Sequence, residues 1–272
     1  MSKQILPFCL LILLFNCAQD PLEQIDKNEL FFEDISHLQK DSLQHPYNLD
    51  NTIYRPGLEF WFKYSYTDSI GVEYMFSREG YELTPKSIIT PKTIIDIGFT
   101  VEPGTGVFGE DYDQTLIDYH YITSDEEDLW PRHSSGIVEN DVNVWMHPFR
   151  SHCYFQLTQY APYPYIKRNL EVGEKWRWEL KTGNNYDCAS WGTFEGVVLN
   201  EYEYQIIEKG RILETDFGDL ECVVVEAIGI SDLGPTKLIS YFNEKLGFVR
   251  LEYETINQAK MVIEMVNKTK RT

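Results

Sequence analysis

The chain has 272 residues, which is enough for one large β-rich domain or two small domains. Its 43 acidic and 24 basic side chains give a formal charge of −19 at pH 7, so nucleic acid is expected to repel the chain and is excluded as a partner. Hydrophobic residues make up 43% of the chain and aromatic residues 14%, which provides a folded core and excludes global disorder.

Residues 1–16 are predicted to be a lipoprotein signal peptide. Lys3 is followed by an apolar run at positions 5–15, which has the length of a signal-peptide core and is too short to cross a bilayer as a helix. Positions 14–17 read L-F-N-C, which resembles the lipobox of bacterial lipoproteins. The resemblance implies a diacylglycerol thioether on Cys17, cleavage after Asn16 and acylation of the new amino end, for example by palmitate.

An anchor of two or three acyl chains is stable in a bilayer, because each buried methylene group contributes about 0.8 kcal/mol. Residues 17–28 would then be a polar tether, with the folded part in water beside the membrane. By analogy with lipoproteins in general, Asp20 close to the anchor favours outer-membrane retention or export to the surface. The expected location is therefore the cell envelope of a Gram-negative bacterium, anchored in its outer membrane on the periplasmic or the surface side.

The region 29–125 is predicted to hold one helix followed by strands. Apolar residues recur every three or four positions between 28 and 44, which is typical of an amphipathic helix. These apolar residues are Leu30, Phe31, Ile35 and Leu38. The opposite side is mainly acidic, whereas helices that lie on membranes are usually basic, so we expect the apolar side to pack on the domain.

Alternating apolar and polar residues predict a β-hairpin made of 58–67 and 72–77, joined by the turn D-S-I-G. The acidic run at 124–128 predicts an exposed loop and is one candidate domain boundary. Y-A-P-Y-P-Y at 160–165 is a second candidate boundary, because its prolines prevent regular strand pairing. Further strands of this half are predicted at 93–101 and 118–123.

The region 126–272 is predicted to be a β-rich core that continues the preceding strands. Short strands at the spacing seen here predict a mainly β fold, namely an antiparallel twisted sheet, a half-barrel or a sandwich, with the one N-terminal amphipathic helix. The runs rich in β-branched and aromatic residues lie at 175–181, 193–199, 203–208, 220–228, 237–242, 248–255 and 260–267.

Three short motifs in this region carry a second resemblance. They are V-G-E-K-W at 172–176, E-T-D-F-G-D-L-E-C-V at 214–223 and G-F-V-R-L-E at 247–252. Together they resemble a group of uncharacterised exported bacterial lipoproteins. The resemblance implies a twisted antiparallel sheet, similar to carriers that cradle lipidated or apolar cargo, and it implies no catalytic residue.

Three cysteines remain after the signal peptide and the lipobox: Cys153, Cys188 and Cys222. Thiols tend to pair outside the cytoplasm, and Cys153 and Cys188 both flank aromatic, loop-like stretches. Two alternatives stay open, a bridge between these two cysteines or three free thiols. Cys222 lies in an apolar strand and is expected to be a small core residue.

The densest group of candidate ligand-binding residues is W-M-H-P-F-R-S-H-C at 145–153. Trp145, His147 and Arg150 either line a binding cleft or belong to a packed structural corner. A zinc site is disfavoured, since Pro148 prevents a helix that would present the two histidines of the stretch on one face, and no metal is predicted.

Three more tryptophans are candidates for ligand binding. Trp176 and Trp178 share one face of a predicted strand because side chains alternate along it, and Trp191 follows nearby. These rings either pack in the core or form an aromatic platform for a sugar or an acyl chain.

The glycine pattern G-T-G-V-F-G at 104–109 is interpreted as a loop and not as a nucleotide site, because acidic residues follow it. No cofactor is predicted and no catalytic residue is identified. The first functional hypothesis is a non-enzymatic, membrane-anchored binding module for an apolar or glycan ligand. The alternatives are a structural or assembly partner of an envelope complex, bound to another protein, and a hydrolase that the motifs do not reveal.

Overall fold

The computed structural model describes residues 51–78, 82–104, 106, 114–126 and 133–270. These residues form fourteen β-strands and two short 3-10 helices. The prediction of a mainly β, antiparallel fold is confirmed, because every strand pairing in this part of the chain is antiparallel. The predicted helix at 28–44, the tether and Cys17 lie outside the described residues.

The strands are numbered in chain order. The first eight are β1 (Leu58–Thr67), β2 (Glu73–Phe76), β3 (Leu83–Pro85), β4 (Ile94–Val101), β5 (Thr115–Thr123), β6 (His133–Glu139), β7 (Asn143–Met146) and β8 (Tyr165–Lys167). The other six are β9 (Lys175–Gly183), β10 (Val197–Thr215), β11 (Gly218–Ile230), β12 (Thr236–Asn243), β13 (Gly247–Glu254) and β14 (Lys260–Lys270). The 3-10 helices are Phe155–Tyr160 and Asn184–Tyr186, and no helix in the described part of the chain is long and apolar enough to cross a membrane.

All the strands belong to one sheet in which two meanders meet. One meander runs from β4 to β8 and the other from β9 to β14, each strand being hydrogen-bonded to the next. β1 lies between β4 and β14 and joins the meanders, so that Leu58 pairs with Lys270. β2 pairs with the end of β1 and with β3, which confirms the hairpin predicted from residues 58–67 and 72–77.

Side chains alternate between the core and the solvent along most strands. In β10, Asn200, Tyr202, Tyr204 and Ile206 are buried, while the residues between them are exposed or half-buried. This period of two buries one face of an antiparallel sheet. Large aromatic rings occupy much of the buried face, and their burial supplies a major part of the stabilising free energy.

The two ends of the sheet face each other across the core. The ring centroids of Tyr165 in β8 and Trp176 in β9 are 5.5 Å apart, and those of Trp145 in β7 and Trp178 in β9 are 5.7 Å apart. No ladder of backbone hydrogen bonds joins β8 to β9 within the residues described, so the sheet curls and its ends meet through side chains. We call the contact made by these four rings the aromatic seam.

Parts of the predicted strand pattern are wrong. The runs at 193–199 and 203–208 fall mostly in one strand, β10, whose register shifts near Ile206 and near Gly210 without a turn. A β-bulge adds a residue to one strand and lets it continue, so a glycine in the middle of a strand need not end it. The pattern also misses β6 to β8, which have few β-branched residues. Residues 160–165, which were a candidate domain boundary, are buried in the core.

Candidate functional site

The tryptophans of the aromatic seam lie inside the fold. Trp145 has no exposed surface, and Trp176 and Trp178 are only 6% and 7% exposed. Burial in this interior raises the pKa of the neighbouring Tyr204 well above its usual range, so its hydroxyl stays neutral. The three indole rings hold the ends of the sheet together and offer little surface to a sugar or an acyl chain.

Trp191 has a similar structural role at the connection between β9 and β10. It is half-buried, and its indole N–H donates a hydrogen bond to the backbone oxygen of Cys153 at 2.7 Å. Its ring meets the ring of Tyr160 edge-on, with 5.8 Å between the centroids. These contacts pack the connection against the 3-10 helix Phe155–Tyr160.

His147 and Arg150 form a polar corner near the aromatic seam. Arg150 donates hydrogen bonds from Nη1 to His147 Nδ1 and from Nη2 to Ser135 Oγ, both at 2.9 Å. Because a guanidinium cannot accept a hydrogen bond, Nδ1 is the acceptor and His147 is neutral. The guanidinium also lies over the ring of Tyr186, at 5.5 Å from its centroid. His147, Ser135 and Tyr186 hold the guanidinium in place. This is the arrangement expected for a packed structural corner.

The two remaining residues of the 145–153 stretch that could bind a metal, His152 and Cys153, have other contacts. His152 is fully buried with Nε2 3.1 Å from the backbone oxygen of Ser77, and burial lowers its pKa to about 4. Cys153 is bonded to Cys188. Over the described ranges of the chain, no group of three or more His, Cys, Asp or Glu residues is arranged to hold a metal ion.

The disulfide between Cys153 and Cys188 has its Cα atoms 5.7 Å apart. Cys153 precedes β8 and Cys188 follows β9, so the bond fastens the same two ends of the sheet that meet at the aromatic seam. The two cysteines are 35 residues apart, and closing a loop of that length is expected to stabilise the fold by about 4 kcal/mol. Cys222 is buried and free, and burial raises the pKa of its thiol to about 11.

Mass spectrometry of the digested, unreduced protein is expected to find Cys153 linked to Cys188. After denaturation without a reductant, an alkylating reagent should modify Cys222 and neither of these two cysteines, which makes Cys222 the internal control. In the native protein Cys222 should also resist alkylation, because its thiol is buried and protonated. Alkylation of Cys153 and Cys188 in the unreduced, denatured sample contradicts the bridge.

A cleft of about 820 Å³ opens where the β10–β11 hairpin extends past the core. Four of its lining residues are buried apolar side chains that continue the core: Ile166, Ile206, Cys222 and Phe242. Half-buried Leu220 of β11 adds to this apolar lining. The volume lies within the range of small-molecule sites in proteins, and we call this feature the hairpin cleft.

Two β-bulges in β10 account for the hairpin cleft. The register between β10 and β11 shifts once between Ile206 and Glu208 and again between Lys209 and Arg211. Gly210, between them, has a φ of +80°, a left-handed conformation that residues with a side chain rarely adopt. Beyond the bulges β10 is mostly exposed, so the hairpin leaves the core and its inner residues line the cleft.

Charged residues surround the apolar part of the hairpin cleft. Arg168 Nη2 lies 3.5 Å from Glu139 Oε1, Arg168 Nε lies 3.7 Å from Glu244 Oε2, and the guanidinium is 5.9 Å from the centroid of the Phe242 ring. An apolar interior with a charged margin suits a ligand that has one apolar and one polar end. The charged lining residues are Arg168, Lys209, Lys245, Asp219, Glu221 and Glu244.

Residues 52–54, near the beginning of the described part of the chain, are held beside the hairpin cleft. The buried carboxylate of Glu139 accepts hydrogen bonds from the backbone N–H groups of Thr52 at 2.9 Å, Ile53 at 3.0 Å and Tyr54 at 2.9 Å. The same carboxylate contacts Arg168, which lines the cleft. The chain therefore joins the described fold at the margin of the cleft.

A second groove of about 570 Å³ lies among residues of β9, β10 and β11. Its lining includes Ile228 and Ile230, which are 39% and 62% exposed, and Glu179 and Glu201, which lie directly opposite each other in the β9–β10 ladder. Trp178 and Tyr202 also line this groove but are only 7% and 2% exposed. Its accessible apolar lining is therefore mainly two aliphatic side chains, against several apolar side chains in the hairpin cleft. The hairpin cleft is therefore the stronger candidate site for an apolar ligand.

Sequence reasoning did not identify the hairpin cleft, because its lining residues come from several strands between positions 166 and 246. Two local signals could have pointed to part of it. Gly210 interrupts a strand pattern, which often marks a bulge. Phe217 is a large apolar residue at the tip of an otherwise charged hairpin, where it is 37% exposed.

Comparison with known proteins gives fold-level similarities only. No protein-family model matches the chain, and no curated protein matches it. A protein of Bacteroides fragilis named as exported, with a YmcC-like fold, has 10% identity and a TM-score of 0.40 over 80% of this chain and 98% of its own. A protein of Parabacteroides distasonis named as a lipoprotein has 10% identity and a TM-score of 0.37 over 84% of this chain and 100% of its own.

A third similar structure is that of YmcC from Escherichia coli, named as a hypothetical lipoprotein, with 9% identity and a TM-score of 0.33 over 89% of this chain and 99% of its own. The structures similar to this chain are thus named as exported proteins or lipoproteins, in agreement with the resemblance seen in its sequence. At these identities and TM-scores they assign no ligand and no functional residue.

Proposed function

We propose that the protein is a lipid-anchored protein of the cell envelope that binds an amphiphilic molecule in the hairpin cleft and does not catalyse a reaction. The observation that carries the binding role is the cleft, with about 820 Å³ of volume, buried apolar lining residues and a charged margin. The L-F-N-C sequence that ends at Cys17 supports the anchor, and Asp20 close to it supports a location in the outer membrane.

An acyl chain or a comparable apolar group matches the interior of the hairpin cleft. Half-buried Leu220 and Leu246 and the more exposed Phe217 present apolar surface there, and each methylene group removed from water stabilises a complex by about 0.8 kcal/mol. A glycan has less support, because three of the four candidate tryptophans are buried in the aromatic seam and half-buried Trp191 packs against Tyr160.

The margin of the cleft favours an anionic or zwitterionic group at the polar end of the ligand. Arg168 is already in contact with Glu139 and Glu244. Lys245 is exposed and makes no ion pair with any residue that the structure describes, so it is open to a phosphate or carboxylate group. The neighbouring acidic residues make a zwitterion an equal fit.

Fluorescence titration with 11-(dansylamino)undecanoic acid tests this function. Wild-type protein is expected to bind the probe, and Leu220→Asp is expected to weaken binding about ten- to a hundredfold. The charged side chain removes apolar lining worth about 1.5–3 kcal/mol and puts a carboxylate next to the alkyl chain.

Ile212→Asp is the matched control for this titration. Ile212 lies on the same hairpin, is 57% exposed and does not line the cleft, so its replacement should leave probe binding unchanged. Equal binding to wild type and Leu220→Asp, or no binding to wild type or to any variant, contradicts the proposed function.

A further inference from the structure

We propose that the second groove, on the solvent side of β9, β10 and β11, is a docking surface for an arginine-bearing segment of another protein. The guanidinium of that arginine binds between Glu179 and Glu201, and its apolar stem lies on Ile228 and Ile230. This surface is separate from the hairpin cleft, because the two share no lining residue, and it does not depend on the function proposed for the cleft.

The exposed lining of the second groove lies on the solvent side of the sheet. Trp178 and Tyr202 point into the core, so the residues on either side of them in β9 and β10 point outward. Glu201 on β10 has two direct neighbours across the ladders, Glu179 on β9 and Ile230 on β11. The Cβ atoms of directly opposite residues are about 4.5–5.5 Å apart, so the two carboxylates and the isoleucine form one continuous row.

Aliphatic side chains extend this row into a small apolar surface. Ile228 lies two residues before Ile230 on the same side of β11, and both side chains are exposed. Leu199 on β10 is half-buried and lies two residues before Glu201, again on the same side. Single exposed apolar residues are common on proteins, whereas several side by side with polar neighbours are typical of an interaction surface.

Glu179 and Glu201 are the carboxylates of the second groove that lack a basic partner. Glu203, the third carboxylate of the lining, binds both nearby bases, Lys175 Nζ at 2.7 Å and Arg177 Nη2 at 2.8 Å. Neither Glu179 nor Glu201 forms an ion pair with any residue that the structure describes. Like charges directly opposite each other destabilise a sheet, so a cation bound between them would relieve a repulsion built into the fold.

The other charged groups near the second groove leave this pair of carboxylates uncompensated. Lys237 of β12 forms an ion pair with Glu226 at 2.5 Å. Lys181, the next outward residue of β9, is half-buried and interacts with residues other than Glu179 and Glu201. The sequence of the turn after β11 adds a further acid, and the whole chain has a formal charge of −19. A basic partner is therefore attracted to this surface both locally and at long range.

Arginine fits the second groove better than lysine does. Its planar guanidinium carries N–H donors in a fixed arrangement that can bind two carboxylates at once, whereas the lysine ammonium is a compact, strongly hydrated point charge. The apolar stem of arginine can cover the isoleucines while its charged end reaches the carboxylates. Apolar residues beside the arginine would cover the remaining aliphatic surface, which is the usual combination at the centre of a protein interface.

Fluorescence polarisation with a labelled peptide and the purified mature protein tests this docking surface. The probe is fluorescein-labelled G-I-R-I-R-I-G, and its control is the same peptide with citrulline, a neutral analogue of arginine, in place of both arginines. The arginine peptide is expected to bind wild-type protein at least about tenfold more tightly than the citrulline peptide, because hydrogen bonds between charged groups are lost with citrulline. Added salt should weaken the binding of the arginine peptide.

Glu179→Gln combined with Glu201→Gln is expected to weaken binding of the arginine peptide about tenfold without lowering the urea midpoint of unfolding, because the repulsion between the two side chains is removed. Glu214→Gln combined with Asp216→Asn is the matched control, since it removes the same charge from exposed residues at the far end of the β10–β11 hairpin and should leave binding unchanged. No binding of the arginine peptide to wild type, equal binding of the two peptides, or equal effects of the two double substitutions overturns the proposal.

Discussion

Replacing Cys17 by Ser is expected to move the protein from the membrane fraction to the soluble fraction. The serine hydroxyl cannot form the thioether to diacylglycerol, so neither this modification nor the acylation of the amino end would follow. The protein would lose two or three acyl chains, each worth about 0.8 kcal/mol per buried methylene group. Cell fractionation with immunoblotting measures the shift, and the intact mass of the purified protein measures the loss of the acyl groups.

Cys9→Ser is the matched control for the anchor, because Cys9 lies in the apolar core of the predicted signal peptide and is removed with it. This variant should stay in the membrane fraction with its acyl mass unchanged. Unchanged fractionation of Cys17→Ser, or a wild-type protein that retains residues 1–16 or carries no acyl mass, contradicts the anchor.

Trp145→Ala is expected to destabilise the fold by about 3–5 kcal/mol, the range for removing a large aromatic side chain from a packed core. Trp145 is fully buried, and its ring lies 5.7 Å from Trp178 and 5.6 Å from Tyr163 between centroids. The cavity would lie where the two ends of the sheet meet, with no ladder of hydrogen bonds among the described strands to hold them. Equilibrium unfolding in urea, followed by circular dichroism, measures the loss.

Trp61→Ala is the comparison for Trp145→Ala. Trp61 is half-buried on the other face of the sheet, where its ring stacks on His120 at 5.5 Å. We expect a loss of about 1 kcal/mol, in line with ordinary substitutions outside the core. Equal losses for the two variants would mean that the aromatic seam contributes no more than an ordinary surface contact.

The sequence predicted strands best where alternation is regular. β1 runs over the predicted residues 58–67, and β12 and β14 each contain a predicted run, because period-two burial is a local property of the chain. β6 was missed because Ser134, Ser135 and Gly136 have little intrinsic preference for a strand. Pairing with β5, which the local sequence does not show, holds them in place.

The candidate site was harder to predict than the strands. Trp176 and Trp178 share a face of β9, as their spacing indicates, but only the curl of the sheet determines that this face points into the core. The hairpin cleft combines Arg168, Leu220 and Leu246, which come from different strands and connections. Contacts between residues that are so far apart in the chain do not produce a periodic pattern in a single sequence.

The central place of the last strand has a consequence for biogenesis. β14 lies between β1 and β13, so until Lys260–Lys270 is available the hydrogen-bonded strands form two separate pieces, β1 to β8 and β9 to β13. Pairings between such distant segments also form slowly. The sheet of a nascent chain built this way therefore stays in two unjoined pieces until β14 has been synthesised.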